Sequence, residues 1–287
     1  MTVTTEICNT FNKSASDYER FAKVQLEIGQ RLFNRLDYLN IKPKRILDLG
    51  CGPGYFSKQL AAKYPKAQIV GLDLALDMLL QSKNKQGLFK KWSLINADMR
   101  HLPFESGTFD LVFANQVLHW ANPMMPALRE VNRVMAVNAC LMFTTLGPST
   151  FKEILSSWSG VNSHAHINDF PDMHDVGDWL MAEYFLNPVM DMESISLHYE
   201  SLTQLIRALK SQGVKNINKN RNPGLTSKSS WKKFEENYEG FKTEKGKYPL
   251  SYEVVYGHAW KGERTRQDNG VESFIPISQI TGLTKKK

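Results

Sequence analysis

Cysteine is scarce in this chain of 287 residues, and Cys8, Cys51 and Cys140 fit no metal-ligand spacing. Free, dispersed thiols suit a reducing compartment. No apolar run approaches the length of a membrane-crossing helix, and the N-terminus lacks the basic-then-apolar pattern of a secretory signal. These absences predict a cytoplasmic protein with no membrane contact. Acidic residues are also missing where bases are dense. From Ser201 to Phe234 there is no Asp or Glu, yet the segment holds Arg207, Lys210, Lys215, Lys219, Arg221, Lys228, Lys232 and Lys233. With a formal charge of +7, this segregation predicts a positive face for an anionic partner. Nucleic acid is a poor candidate, because no aromatic lies between Lys210 and Lys228 on which a base could stack.

What is present starts with Ile46-Leu47-Asp48-Leu49-Gly50-Cys51-Gly52-Pro53-Gly54. An apolar strand ends in a carboxylate and breaks into glycines at alternate positions. Glycine there permits a sharp turn and a close backbone approach to a ligand. A dinucleotide fingerprint needs its third glycine one residue later, where Tyr55 stands. The Asp-x-Gly-x-Gly-x-Gly spacing instead resembles the first motif of class I S-adenosylmethionine-dependent methyltransferases. Strands are predicted at 45–49, 68–72, 92–96, 109–114 and 140–145, with helices between them. That alternation predicts an α/β fold with a mostly parallel sheet covered on both faces.

Ahead of the first strand, Phe21, Val24, Ile28, Leu32, Leu36 and Leu39 recur at helical steps, predicting one helix over 17–39 capped by Ser14 or Ser16. Beyond Thr145 the rhythm changes. Helices are predicted at 151–158, 176–185 and 202–212, strands at 190–198 and 250–257, and a loop at 216–230. The organisation expected is an N-terminal helix and cofactor-binding core over 1–147, lid insertions around one core strand over 148–248, a final strand over 249–261, and a flexible tail over 262–287.

The strand ends supply the candidate site. Asp73 closes the second strand about twenty residues past the glycine loop, where such folds hydrogen-bond a ribose diol. Asp98 and Met99 close the third, suited to an exocyclic amine and a ring face. Asn115 follows the fourth strand directly and is the better cofactor contact there, while His119 is a possible general base beside Trp120. The group His164, His166, Asp169, Asp172, His174 and Asp175 has no ligand pattern that fixes a metal geometry and reads as a helix-capping loop.

Six segments in order carry a narrower likeness: Phe11-Asn12-Lys13-Ser14-Ala15-Ser16-Asp17-Tyr18, the glycine loop, Asp98-Met99, Phe143-Thr144-Thr145-Leu146, Leu209-Lys210-Ser211-Gln212-Gly213, and Tyr248-Pro249-Leu250-Ser251-Tyr252-Glu253. The chain resembles the malonyl-acyl-carrier-protein O-methyltransferase family. That resemblance implies a Rossmann-like methyltransferase fold with a seven-stranded sheet and a helical lid, and methylation of the free carboxylate of a carrier-bound malonyl thioester on the way to biotin. It implies S-adenosylmethionine as donor, S-adenosylhomocysteine as product, no metal, and a monomer partnered by acyl carrier protein. Donor contacts are expected from Asp48, Gly50, Gly52, Gly54, Asp73, Leu74, Asp98, Met99 and Asn115. Tyr18 and His119 are the catalytic candidates, and Trp120, Thr145, Arg207, Lys210, Lys215 and Arg221 those for substrate and carrier. The resemblance implies glutamine at the position where His119 stands, which weakens any essential role for it. Another small carboxylic acid or a quinone precursor is the alternative acceptor; a nucleic-acid-binding role is the remote one.

Overall fold

The computed structural model describes residues 3–86, 91–211, 216–218, 220–222 and 224–262. The expected tail, apart from Gly262, and Lys215 lie outside them.

Three helices precede the sheet: α1 (Val3–Ser14), α2 (Tyr18–Phe21) and α3 (Lys23–Arg35), followed by a 3-10 turn at Leu36–Tyr38. The single helix expected over 17–39 is therefore broken at Ala22, whose φ of −81° and ψ of 33° are not helical. Neither serine caps it. Asp17 precedes α2 without a side-chain capping bond, and the Ser14 hydroxyl donates to the Phe11 carbonyl.

The core runs β1 (Arg45–Leu49), α4 (Tyr55–Lys63), β2 (Gln68–Asp73), α5 (Leu76–Asn84), β3 (Ser93–Asn96), β4 (Phe109–Ala114), α6 (Met125–Val134) and β5 (Met135–Leu146). Helices α7 (Lys152–Trp158) and α8 (Met173–Ala182) follow, then β6 (Phe185–Tyr199), α9 (Leu202–Ser211), α10 (Lys228–Glu239) and β7 (Tyr248–Lys261). The seven strands lie in the order β3-β2-β1-β4-β5-β7-β6. Strands β1 to β5 are parallel, and β7 runs antiparallel between β5 and β6.

Strand alternation divides the apolar residues between two faces. Ile46, Leu111, Phe113 and Met142 pack with Ile28 and Leu32 of α3 and Phe56 and Leu60 of α4. Leu47, Val112, Leu141 and Phe143 pack with Leu128 and Val131 of α6 and Val176 and Leu180 of α8. Both faces are covered, as a largely parallel sheet requires. Strand β5 starts five residues earlier than expected, and its register slips between Phe109 and Leu111 of β4. Asn138 occupies the irregularity at a φ of +63°, a conformation that asparagine tolerates better than most residues.

Two helical segments interrupt the C-terminal half. The first holds α7 and α8. The second holds α9 and α10, with α10 against α7 through Trp158 and Phe234, whose rings stack at 4.6 Å. Glu153 of α7 is buried and fixed on β7 by the Ser251 amide at 3.0 Å and the Ser251 hydroxyl at 2.5 Å. Asp172 caps α8 by accepting from the His174 amide, so the histidine-aspartate group does include a capping residue. His166 of that group stacks flat on Trp158 at 3.8 Å.

Candidate active site

The strand ends and the glycine loop form one wall of a cleft that opens to solvent. The loop is locked to its neighbour. Gly50 and Cys51 donate their amides to the Leu72 carbonyl at 2.8 and 3.0 Å. Gly50, Gly52 and Gly54 all have positive φ, at 69°, 52° and 80°, where L residues pay a steric cost. They differ in what a side chain would meet. A Cβ on Gly50 would lie 2.4 Å from Val117, and one on Gly54 2.2 Å from the Ser82 hydroxyl. At Gly52 nothing lies within 4 Å. Gly50 and Gly52 border the cleft, whereas Gly54 starts α4 away from it.

Asp73 faces the cleft with its carboxylate held by the Gly52 amide at 2.9 Å and the Ala75 amide at 2.8 Å. Burial raises its pKa and those amides oppose the rise. Each oxygen retains acceptor capacity for a hydroxyl. Leu74, Asp98, Met99 and Asn115 line the same cleft. Arg100, which sequence reasoning overlooked, grips Asp98 through Nε and Nη2, the latter at 2.6 Å, and holds its carboxyl below the usual range. Asn115 is pinned between the Gln25 carbonyl, to which it donates at 3.1 Å, and the Thr144 hydroxyl, from which it accepts at 2.8 Å.

Asp48 lies beneath the loop. It is buried, accepts from the Ser57 hydroxyl at 2.5 Å, and borders a smaller cavity beside the loop rather than the main cleft. Burial pushes its pKa up to about 7. This arrangement supports the loop from within, and the cavity beside Asp48 shares Tyr18, Gly50, Gly52 and Asn115 with the cleft.

Helix α1 closes the opposite side through Thr4, Ile7 and Phe11. The Arg100 guanidinium donates to the Thr4 hydroxyl at 2.5 Å, and the Asp77 amide donates to Asn12 at 3.0 Å. Sequence reasoning read no helix here, although Ile7 and Phe11 stand one turn apart. Tyr18 borders the cleft from α2, and burial together with the nearby Asp73 carboxylate raises its phenol pKa. It remains a neutral donor at physiological pH.

A second chamber of about 420 Å³ adjoins the cleft and shares Phe11, Tyr18, Gln116 and Trp120 with it. Gln25, His119, Asn168, Phe170 and Tyr252 complete much of its lining, which contains no Asp, Glu, Lys or Arg among the described residues. His119 sits between the rings of Trp120 and Phe170, at 5.4 and 5.7 Å. Burial pulls its pKa down to about 3. An imidazole that binds a proton so weakly is ill suited to act as a general base.

Two further expectations change. Thr145 is fully buried and borders neither space; its neighbours Thr144, which anchors Asn115, and Leu146, which lines the chamber, occupy the informative positions. Arg221 is not a free docking cation, because its guanidinium grips Glu6 of α1 at 2.9 and 3.1 Å. Arg207 and Lys210 are exposed on α9. Gln25, Asn168 and Phe170 escaped sequence reasoning, since each lies far along the chain from the glycine loop and carries no motif.

A family model described as a methyltransferase domain matches residues 47–143, the stretch from β1 to β5. The YcgJ protein of Bacillus subtilis has a similar fold, with a TM-score of 0.57 at 15% identity over 81% of this chain and 98% of its own. The malonyl-[acyl-carrier protein] O-methyltransferase of Gallionella capsiferriformans is 40% identical, covering 88% of each chain. That of Legionella pneumophila is 61% identical over 98% of this chain and 99% of its own. Likeness at that level over nearly the whole length includes the sheet, both helical segments and the chamber walls, and the chain belongs to the malonyl-[acyl-carrier protein] O-methyltransferase family.

Proposed function

We propose that the protein transfers the methyl group of S-adenosylmethionine to the free carboxylate of a malonyl thioester on acyl carrier protein, an early step toward the pimeloyl part of biotin. The observation that carries this reading is the junction of the cleft lined by Gly50, Asp73 and Asp98 with an uncharged chamber through Phe11, Tyr18, Gln116 and Trp120. When bound, S-adenosylmethionine supplies an electrophilic methyl group on a sulfonium. Asp73 would hold its ribose, Asp98 and Met99 its base, and Gly50 and Gly52 would admit it close to the backbone, with Asn115 and Leu74 alongside.

The acceptor chemistry suits the chamber. A malonyl carboxylate is ionised at neutral pH, with an ordinary pKa near 4, so no general base is needed. Attack by an anion on a cationic donor disperses charge in the transition state, which favours a dry pocket and in-line positioning. Phe11, Trp120 and Phe170 exclude water there, and the neutral phenol of Tyr18 can orient the nucleophile without quenching it. The helical segments between β5 and β7 would act as the lid.

Acyl carrier protein would approach through α9, whose exposed Arg207 and Lys210 can steer an acidic surface. The protein would work as a monomer in the cytoplasm; among the described residues no helix is long and apolar enough to cross a membrane. Labelled S-adenosylmethionine and malonyl-acyl carrier protein should give a base-labile methyl ester with this enzyme. Labelling of a free small acid or a quinone precursor in its place would favour the alternative acceptor.

A further inference from the structure

We infer that His119 is the neutral hydrogen-bond donor that positions the acceptor in the chamber. The inference rests on the proposed carboxylate acceptor. Three observations converge on it. His119 borders the chamber. Its Nδ1 is buried and has no hydrogen-bond partner among the described residues. Burying a polar nitrogen without a partner is costly, so a bound group that satisfied the ring would recover that penalty. Third, the chamber offers an anion no Lys or Arg among its described lining residues.

The absence of cations has chemical meaning. An arginine fork would bind a carboxylate tightly but would draw charge from the oxygen that must attack. A neutral donor orients the acceptor and leaves more of that charge on the nucleophile. The imidazole is kept in that state by its surroundings: Phe11, Trp120 and Phe170 are apolar, and the titratable neighbours lining the chamber are the phenols Tyr18 and Tyr252. No carboxylate among the described lining residues stabilises an imidazolium, and the depressed pKa agrees. A neutral ring carries one N–H, which it can donate to the acceptor's carboxylate or thioester carbonyl.

Glutamine supplies the same neutral N–H from a chain of similar reach, so His119→Gln is the informative conservative variant and His119→Ala the deletion. Binding of malonyl-pantetheine would be followed by calorimetry with S-adenosylhomocysteine present, beside steady-state kinetics on malonyl-acyl carrier protein and thermal melting. We expect His119→Ala to lose about 10–100-fold in malonyl-pantetheine affinity or kcat/KM, the range for hydrogen bonds to charged groups. S-adenosylhomocysteine affinity should stay within about twofold, and His119→Gln should recover most of the loss. Wild-type kcat/KM should show no limb near pH 6.5. Turnover by the wild type with His119→Ala equal to it, or an imidazole limb that His119→Gln removes, would overturn the donor role alone. A wild type that binds malonyl-pantetheine but leaves malonyl-acyl carrier protein unmethylated would overturn the proposed acceptor, and this inference with it.

Discussion

The guanidinium of Arg221 spans both carboxylate oxygens of Glu6, at 2.9 and 3.1 Å, and thereby ties a segment between α9 and α10 to the helix that closes the donor cleft. The same arginine accepts no docking duty while so engaged, although its place in an acid-free stretch suggested one. Its Nη1 also donates to the Asn216 carbonyl at 3.0 Å.

Arg221→Ala should therefore act on the donor rather than on the carrier. The pair is partly exposed, so its worth is about 1 kcal/mol or less. A weakening of S-adenosylmethionine binding by a few-fold in calorimetry, with an unchanged KM for malonyl-acyl carrier protein, is the expected result. An increase confined to the carrier KM would show the arginine to be a docking residue after all.

The glycines of the loop should separate by position. Gly54→Ala forces a Cβ against the Ser82 hydroxyl and a left-handed φ on alanine, so it should lower the melting temperature, with a cost of about 1–3 kcal/mol. At Gly52 a Cβ has nothing within 4 Å, so Gly52→Val carries the strain of its left-handed φ without that clash, and its side chain should add a large loss of donor affinity. Melting curves and binding titrations on both variants would tell the effects apart.

Asp73→Ala removes the acceptor of the Gly52 and Ala75 amides as well as the proposed ribose partner. A loss of about 1–3 kcal/mol in donor binding is expected. Equal donor affinity in variant and wild type would mean that the carboxylate serves only the loop.

Asp48 predicts a pH dependence of stability. Its pKa rises from 3.8 to about 7 on folding, so between those values the folded state holds a proton that the unfolded state has released. Its stabilising contribution is full below about pH 4, declines as pH rises, and is lost above about 7, a change on the order of a few kcal/mol. Asp48→Asn keeps an acceptor for Ser57 and removes the titration. Denaturation midpoints at pH 5 and pH 8 should show the variant gaining on the wild type at the higher pH; a constant difference would mean Asp48 is ionised throughout.

Carrier recognition should reside on α9. Lys210→Glu is expected to raise the KM for malonyl-acyl carrier protein several-fold at low salt, less at high salt, and to spare donor affinity. Equal rates on carrier-bound and free malonyl thioesters at low salt would remove the docking role.

The legible parts of the fold were those where one short-range signal dominates. β1, β2 and β4 are apolar runs bounded by turns, and the Asp-x-Gly-x-Gly-x-Gly spacing marks the loop between the first strand and its helix. Helix α1 was illegible because Val3–Ser14 is rich in threonine and asparagine, weak helix formers, and owes its place to contacts with Asp77 and Arg100. Helix α10 has few apolar residues to mark a buried face, and that face shows only once Phe234 and Tyr238 are seen to be buried. The chamber was hardest to read, since Gln25, His119, Asn168 and Tyr252 meet only after the sheet has formed. Charge patterning found Arg207 and Lys210 on the surface, but it could not see that Arg221 had a partner 215 residues away.

Incubation of the purified protein with methyl-labelled S-adenosylmethionine and malonyl-acyl carrier protein tests the central claim most directly. A base-labile methyl ester on the carrier-bound malonyl group is the predicted product. Contradiction would be an unlabelled malonyl carrier at saturating concentrations of both substrates, from protein that is folded and binds S-adenosylhomocysteine.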